Sequence, residues 1–395
     1  MKARLILFAV ISIFVLSHSA YGQTWTKVNP DGFGGAGNDE IPAMAIYNGS
    51  LYAAGGNVSA RVWRYDGGTT WTQVNTDGFG YANNWAALGL VVYNNNLYAA
   101  TANDSTGTEV WRYDGGTSWT QVNNGGFGDA ENLAAYGMAV YNGNLYASTL
   151  NETTGAEIWR YDGTAWTQVN TDGFGNAANE LSSGLIVYNH NLYVSSGSFG
   201  GTPARVWRYD GGTTWTQVNT DGFGDINNEA IFFGMVVFGG HLYAGTANDV
   251  TGAEVWRYDG GTTWTQVNTD GFGNSENAII PVMTTFRGAL YAGSGDSDGI
   301  ARVWRYDGGT TWTQVNIDGF GDPNNAYAEG MIVYQNNLYV EAGNFETGSE
   351  IWRYELPPEP ATPVPTMDEW GTIILIVTLG AASAYYLGRR RRAVS

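Results

Sequence analysis

Glu341 is the residue whose placement most suggests chemistry. It stands where equivalent copies of a repeated segment carry Ala54, Ala100, Ser148, Ser195, Gly245 and Gly293. With a second acid it would be the acid or base of a glycan-cleaving site; beside an arginine it would be an ordinary ion-paired carboxylate. Trp85, alone of its type in its loop, offers a flat face on which a sugar can stack. Asn103 and Asp104, with Asp296 and Asp298 in a related loop, add amides and carboxylates suited to sugar hydroxyls or to Ca2+, although neither loop has the spacing of an EF-hand. Apart from Ca2+ no cofactor is expected. Past the N-terminal segment only His190 and His241 remain, both between short apolar runs, so neither a Ser-His-Asp triad nor a histidine metal cluster can be assembled.

These residues sit in a chain that repeats itself. Val/Ile-Trp-Arg-Tyr recurs with its tryptophan at Trp63, Trp111, Trp159, Trp207, Trp256, Trp304 and Trp352, at intervals of 48 or 49 residues. Trp-Thr-Gln/Lys-Val-Asn recurs from Trp25, Trp71, Trp119, Trp166, Trp215, Trp264 and Trp312. Each period holds four β-type runs, as in Gly234–Phe238, Leu242–Thr246, Glu254–Tyr258 and Trp264–Asn268, and no helical periodicity interrupts them. Four strands per period of this length predict an all-β, seven-bladed β-propeller over residues 23–355. The phase is offset: one Trp-Thr-Lys-Val-Asn (Trp25–Asn29) precedes the first blade and the last blade lacks its fourth strand, so the N-terminal strand is expected to close the ring beside Trp352.

Propeller topology sorts the loops onto two faces. One face receives tight turns such as Tyr65–Trp71 and Tyr93–Tyr98. The other receives the two-to-three loops that carry Asn103, Asp104, Asp296 and Asp298, and inter-blade loops reading Asp-Gly-Phe-Gly-x-x-x-Asn, with Gly125 replacing the Asp in one copy. Their phenylalanines are expected to plug between blades and their asparagines to close the loops; the functional alternative is a ring of shallow polar pockets. Two residues before each repeat tryptophan stands Arg61, Glu109, Glu157, Arg205, Glu254, Arg302 or Glu350, and one after it an arginine, a pattern that predicts ion pairing within or between blades. The turn Asp-Gly-Gly-Thr-Thr-Trp resembles the core of the Asp box of sialidases and other propellers, with Arg64 or Arg257 in place of its leading Ser, and the repeat as a whole is kelch-like in length. The resemblance implies a structural role for Asp66, Asp114, Asp210, Asp259 and Asp307, which are expected to accept backbone N–H bonds in their turns.

Composition narrows the function. The 395 residues include no cysteine, which excludes disulfides and thiolate metal sites, and 18 Lys and Arg against 37 Asp and Glu. Within the repeat body, residues 23–355, the balance is more acidic, 12 bases against 34 acids, which disfavours nucleic acid and other polyanions and suits neutral or cation-bridged sugars.

Both ends read as targeting segments. Lys2 and Arg4 precede the apolar run Leu5–Leu16, and Ala20-Tyr21-Gly22 supplies small residues for cleavage between Gly22 and Gln23, the layout of a secretory signal peptide over 1–22. A Pro-rich linker over 356–366 leads to an apolar stretch, Trp370–Leu387, marginally long enough at about 27 Å to span a bilayer core, and then to Arg389–Arg392, which are expected to stay cytoplasmic. The segment 364–395 resembles the IPTL-type, PEP-CTERM-like sorting signals handled by exosortases: Pro365, Thr366, Glu369, Trp370 and Gly371 fit the pattern, and Val364 and Met367 depart from it conservatively. The resemblance implies a bacterial protein held at the inner membrane, processed by an exosortase-type enzyme and delivered to the cell surface or matrix. Two functions follow: a non-catalytic binding or structural module for an extracellular polysaccharide or envelope protein, or a propeller hydrolase or lyase acting on glycans through Glu341. Repeat symmetry discriminates between them, because binding tolerates equivalent sites whereas a reaction centre requires unlike residues.

Overall fold

The computed structural model describes residues 24–198, 200–295 and 299–356. The signal peptide with Gly22 and Gln23, the sorting motif Val364–Gly371 with its apolar stretch, Asp296 and Asp298 lie outside the described residues. Among the described residues no helix is long and apolar enough to cross a membrane.

Each repeat becomes a four-stranded antiparallel unit. In the first, Ala43–Tyr47, Ser50–Gly55, Arg61–Gly67 and Thr70–Gln73 pair in chain order. The second strand is an unbroken apolar or small run, Leu51–Gly55, because units cover both of its faces; the outermost strand alternates exposed and half-buried residues, as an edge must. Sheets of this kind follow one another through the chain, and two of them are joined by the single pairing of Ala134 with Ala102. The result is an all-β, propeller-like fold whose helical content, among the described residues, is limited to short 3-10 turns at the Asp-Gly-Phe-Gly loops.

Those loops are the joints between units. In Asp77–Gly80 both Gly78 and Phe79 adopt positive φ, 59° and 57°. A left-handed phenylalanine costs about 1 kcal/mol, and the stacking it gains offsets this. Phe79 lies flat on Trp111 of the next unit, centroids 5.2 Å apart at 10°, and edge-on to Trp119; Phe33, Phe174 and Phe272 repeat the arrangement on Trp63, Trp207 and Trp304. Such pairs contribute about 0.5–1.5 kcal/mol each beyond their buried area. A second joint comes from the outer strands: the indoles of Trp71, Trp119, Trp215, Trp264 and Trp312 each donate at 2.8 Å to a valine carbonyl of the preceding unit.

The ends meet as the repeat phase requires. Thr24–Lys27 pairs antiparallel with Glu350–Glu355, Lys27 opposite Trp352 and Trp25 opposite Tyr354. Trp25 donates to the carbonyl of Val315 at 2.7 Å, the same clasp as elsewhere, and Tyr334 of the last unit donates to the Gly49 carbonyl of the first at 3.1 Å.

The Asp-box expectation needs correction. The carboxylates of Asp66, Asp210 and Asp259 are reached by side chains, Arg64, Arg208 and Arg257 on one oxygen and Thr72, Thr216 and Thr265 on the other. The cause is register: Arg64 and Thr72 lie directly opposite each other on the hairpin, and both converge on Asp66. Only the shortened turn at Asp162 behaves as expected, accepting the N–H groups of Thr164 and Ala165, and there Arg160 Nε is left without a hydrogen-bond partner.

Candidate functional site

The asparagine that ends each inter-unit loop does two jobs. Asn84 is fully buried; its Nδ2 donates to the Gly78 carbonyl, closing the loop, and to Glu109 of the following third strand at 2.6 Å. Asn132, Asn228 and Asn325 bind Glu157, Glu254 and Glu350 in the same way. Where the third strand carries arginine, the asparagine presents its oxygen instead: Arg61, Arg205 and Arg302 donate to Asn38, Asn179 and Asn277, and fork onto Asp77, Asp221 and Asp318 of the next loop. The recurring polar positions of this face are therefore fold devices. Asn103 belongs with them: it is 1% exposed, its amide donates to Asn84, and its oxygen accepts the N–H groups of Ser105 and Thr106.

Symmetry fails at the centre. Near the start of the first strands the aligned residues Pro42, Leu88, Tyr136, Phe233, Pro281 and Glu329 line one cavity of about 230 Å3. Trp85, Phe232, Ile279, Tyr327 and Glu40 complete its wall. One step further along the same strands a second cavity of about 240 Å3 is lined by Met44, Met138, Met235, Met283 and Met331 with Leu90 and Leu185. The first cavity thus has aromatic and apolar walls, a methionine-rich neighbour and two carboxyl groups.

Those carboxyls are unusual in their surroundings. Glu329 Oε1 is closed off from solvent and has no hydrogen-bond partner. Burial, with Glu40, Glu341 and Asp39 adding like charge, holds Glu329 well above the usual carboxylate range. Glu341 lies behind it, 0% exposed; its Oε1 accepts the Ile41 N–H of the first unit at 3.2 Å, and the Ser349 hydroxyl and the Glu329 N–H also bear on its carboxyl. The arginine partner that its sequence position allowed is absent, and burial followed by the charge of Glu40 raises it as well. Glu40 is raised by burial and receives the hydroxyl of Tyr327. Trp85 is half-buried and its indole donates to exposed Asp104 at 3.1 Å, so two of the sequence-derived candidates form one element of the rim.

Sequence reasoning missed Glu329 and Glu40, although the signal that exposed Glu341 exists for Glu329 too. It is the single acid at its aligned position. On the opposite face, a cleft of about 410 Å3 between Tyr47, Tyr52, Arg112 and Asp114 gives the short turns more room than their length implies. Among the described residues no group of three or more His, Asp or Glu side chains is arranged to hold a metal ion.

No protein-family model matches this chain, and no curated protein matches it significantly. Solved structures do. The WD40 β-propeller domain of Doa1 is 11% identical with a TM-score of 0.54, over 85% of this chain and 98% of that one. A chain of the mitotic checkpoint complex is 13% identical with a TM-score of 0.56, over 89% and 99%. The extracellular domain of a hybrid two-component system from B. thetaiotaomicron is 12% identical with a TM-score of 0.54, over 81% of this chain and 40% of that one. At these identities the likeness shows the β-propeller fold alone.

Proposed function

We propose that this chain is an exported, seven-bladed β-propeller, kelch-like in repeat and Asp-box-like in its turns, that serves as a non-catalytic binding module for an extracellular glycan or envelope protein. It reaches the cell surface through its IPTL-type signal and an exosortase-type processing enzyme, after a stage anchored in the inner membrane. The propeller fold suits a binding or scaffold role. The observation that carries the reading is the axial pocket, where Trp85 and Tyr136 stand beside Glu40 and Glu329 and equivalent positions of successive repeats carry unlike side chains. The recurrent loop asparagines, being engaged within the fold, move the binding surface from the rim's repeats to its centre.

The test is an array of purified glycans with and without Ca2+. Trp85→Ala combined with Asp104→Asn should weaken binding at least about ten-fold, as loss of an aromatic platform does. Substituting His190 and His241 on the opposite face should leave it unchanged, and loss through the histidine face alone would reverse the assignment. A second reading, a glycan hydrolase or lyase, draws on the raised carboxyls of Glu329 and Glu341 beside the pocket. New reducing ends or unsaturated sugars that vanish in Glu329→Gln would establish it in place of the first.

A further inference from the structure

We infer that the axial pocket accepts an organic ammonium group, and that the glycan it serves bears free amines. The inference rests on the binding role just proposed and names its ligand class. Its first support is the placement of Glu329 and Glu40, two carboxyl groups in the cavity wall among Trp85, Tyr136 and Phe233, with wholly buried Glu341 behind Glu329. A ligand ammonium would give these carboxyls the cationic partner that no side chain of the wall supplies.

The second support is the sign of the charge. No Lys, Arg or His lines the cavity. The ionisable groups acting on Glu329 are Glu40, Glu341 and Asp39, and those acting on Tyr136 across the cavity are Glu40, Glu329, Asp104 and Glu152. Every one is an acid, so a cation entering the pocket meets carboxyl groups that can ionise against it and no base that repels it.

The third support separates an organic cation from a metal. A hard metal ion takes six or more oxygen ligands, whereas this wall is mostly Trp85, Tyr136, Phe233, Pro42, Pro281 and Leu88. Aromatic faces with a carboxylate beside them suit an ammonium carried on a carbon skeleton. The volume holds one sugar-sized group, so the recognised unit is an amino-sugar residue with its nitrogen directed at Glu329 and its ring against the aromatics. An N-acetylated sugar presents a neutral amide there and forgoes the charge pairing.

The experiment is calorimetric titration of the full chain at pH 6 with the trimer of glucosamine and with the trimer of N-acetylglucosamine. The amine-bearing trimer should bind at least about ten-fold more tightly, and Glu329→Gln should abolish that preference while leaving the N-acetylated trimer unaffected. Repeating the titration in buffers of different ionisation enthalpy should show proton release on binding the amine, because a bound ammonium pulls the raised carboxyls back toward ionisation. If Glu329→Gln melts below the working temperature, Glu40→Gln at the same wall serves instead. Equal affinity for the two trimers, or a preference that survives both substitutions, overturns the amine inference and leaves the binding role standing. No binding of either trimer overturns it too, and the neutral members of the glycan array then decide whether the binding role falls with it.

Discussion

Blades with arginine and blades with glutamate at the start of the third strand solve one packing problem in opposite ways. In both, a buried asparagine from the preceding loop closes that loop and faces the next unit. Arg302 takes the oxygen of Asn277 and forks onto Asp318, so its charge is neutralised within reach of solvent, Asp318 being about half exposed. Glu254 takes the nitrogen of Asn228 at 2.6 Å and the indole of Trp256 at 2.7 Å and has no cation. An amide that can offer either end lets one backbone geometry carry either charge. The glutamate blades also hold a matching two-to-three loop, in which Asn248 donates to Asn228 and Thr246 does the same; in the arginine blades the Arg302 guanidinium occupies that side of Asn277.

The largest expected effect comes from the closing blade, which belongs to the glutamate class. Deleting residues 24–29 removes the pairing with Glu350–Glu355, the Trp25 clasp and the bonds of Asn29 to Ser349 and Ile351. The loss should be of order 5 kcal/mol, comparable to the whole stability of many domains, with aggregation through the exposed edge. Denaturant melts and light scattering measure it, and an equally stable monomer would contradict the closure.

Next, removal of the shared asparagine should separate the classes. Asn228→Ala leaves Glu254 buried with the Trp256 indole as its remaining donor and should cost about 3 kcal/mol. Asn277→Ala leaves Arg302 on Asp318 and should cost about 1–2 kcal/mol. Equal losses in urea titrations would mean that loop closure, common to both, is all the asparagine provides.

Titration should show the same division. Burial raises Glu157 and Glu254 above their ordinary value of 4.5, whereas Arg61 pulls Asp77 down to about 2 and Arg205 and Arg302 lower Asp221 and Asp318. A raised carboxyl binds its proton more tightly in the folded chain, so stability increases as pH falls toward 4.5; a depressed one contributes fully above 3.8 and is lost as pH falls toward 2. The melting temperature should therefore rise and then drop across that range. Glu254→Gln should shrink the rise and spare the acid limb, and a steady fall from pH 7 would show the buried glutamates to be neutral in effect. Smallest is Lys27→Gln. Lys27 bridges Asp31 and Glu350 where other units carry glutamine, and with a third of its side chain exposed the exchange should cost no more than about 1 kcal/mol in a thermal melt.

The period, the four strands and the phase offset were legible because they repeat, and repetition averages away local ambiguity. The Phe-on-Trp joints and the loop-closing asparagines were legible for the same reason. Glu341 could be found against a background of uniformly small residues, but Glu329 stands at a position occupied by proline, leucine, tyrosine, serine and phenylalanine, so no common residue makes it conspicuous. Glu40 lies far from both in sequence and joins them only because the last unit packs on the first. The partners of Asp66 escaped because they lie two before and six after it in sequence, and only the strand register places them together.

The pairing of Thr24–Lys27 with Glu350–Glu355 also sets a clock. Asn29 and Ile351, which bond across this seam, are 322 residues apart. At roughly 5–20 residues per second of synthesis, the first strand to emerge stays without its sheet for on the order of half a minute while every unit between builds on its neighbour. Four residues made at the start thus serve as the latch fastened at the end, and a nascent chain cut short anywhere before Glu350 carries its own record of incompleteness as an unmatched strand.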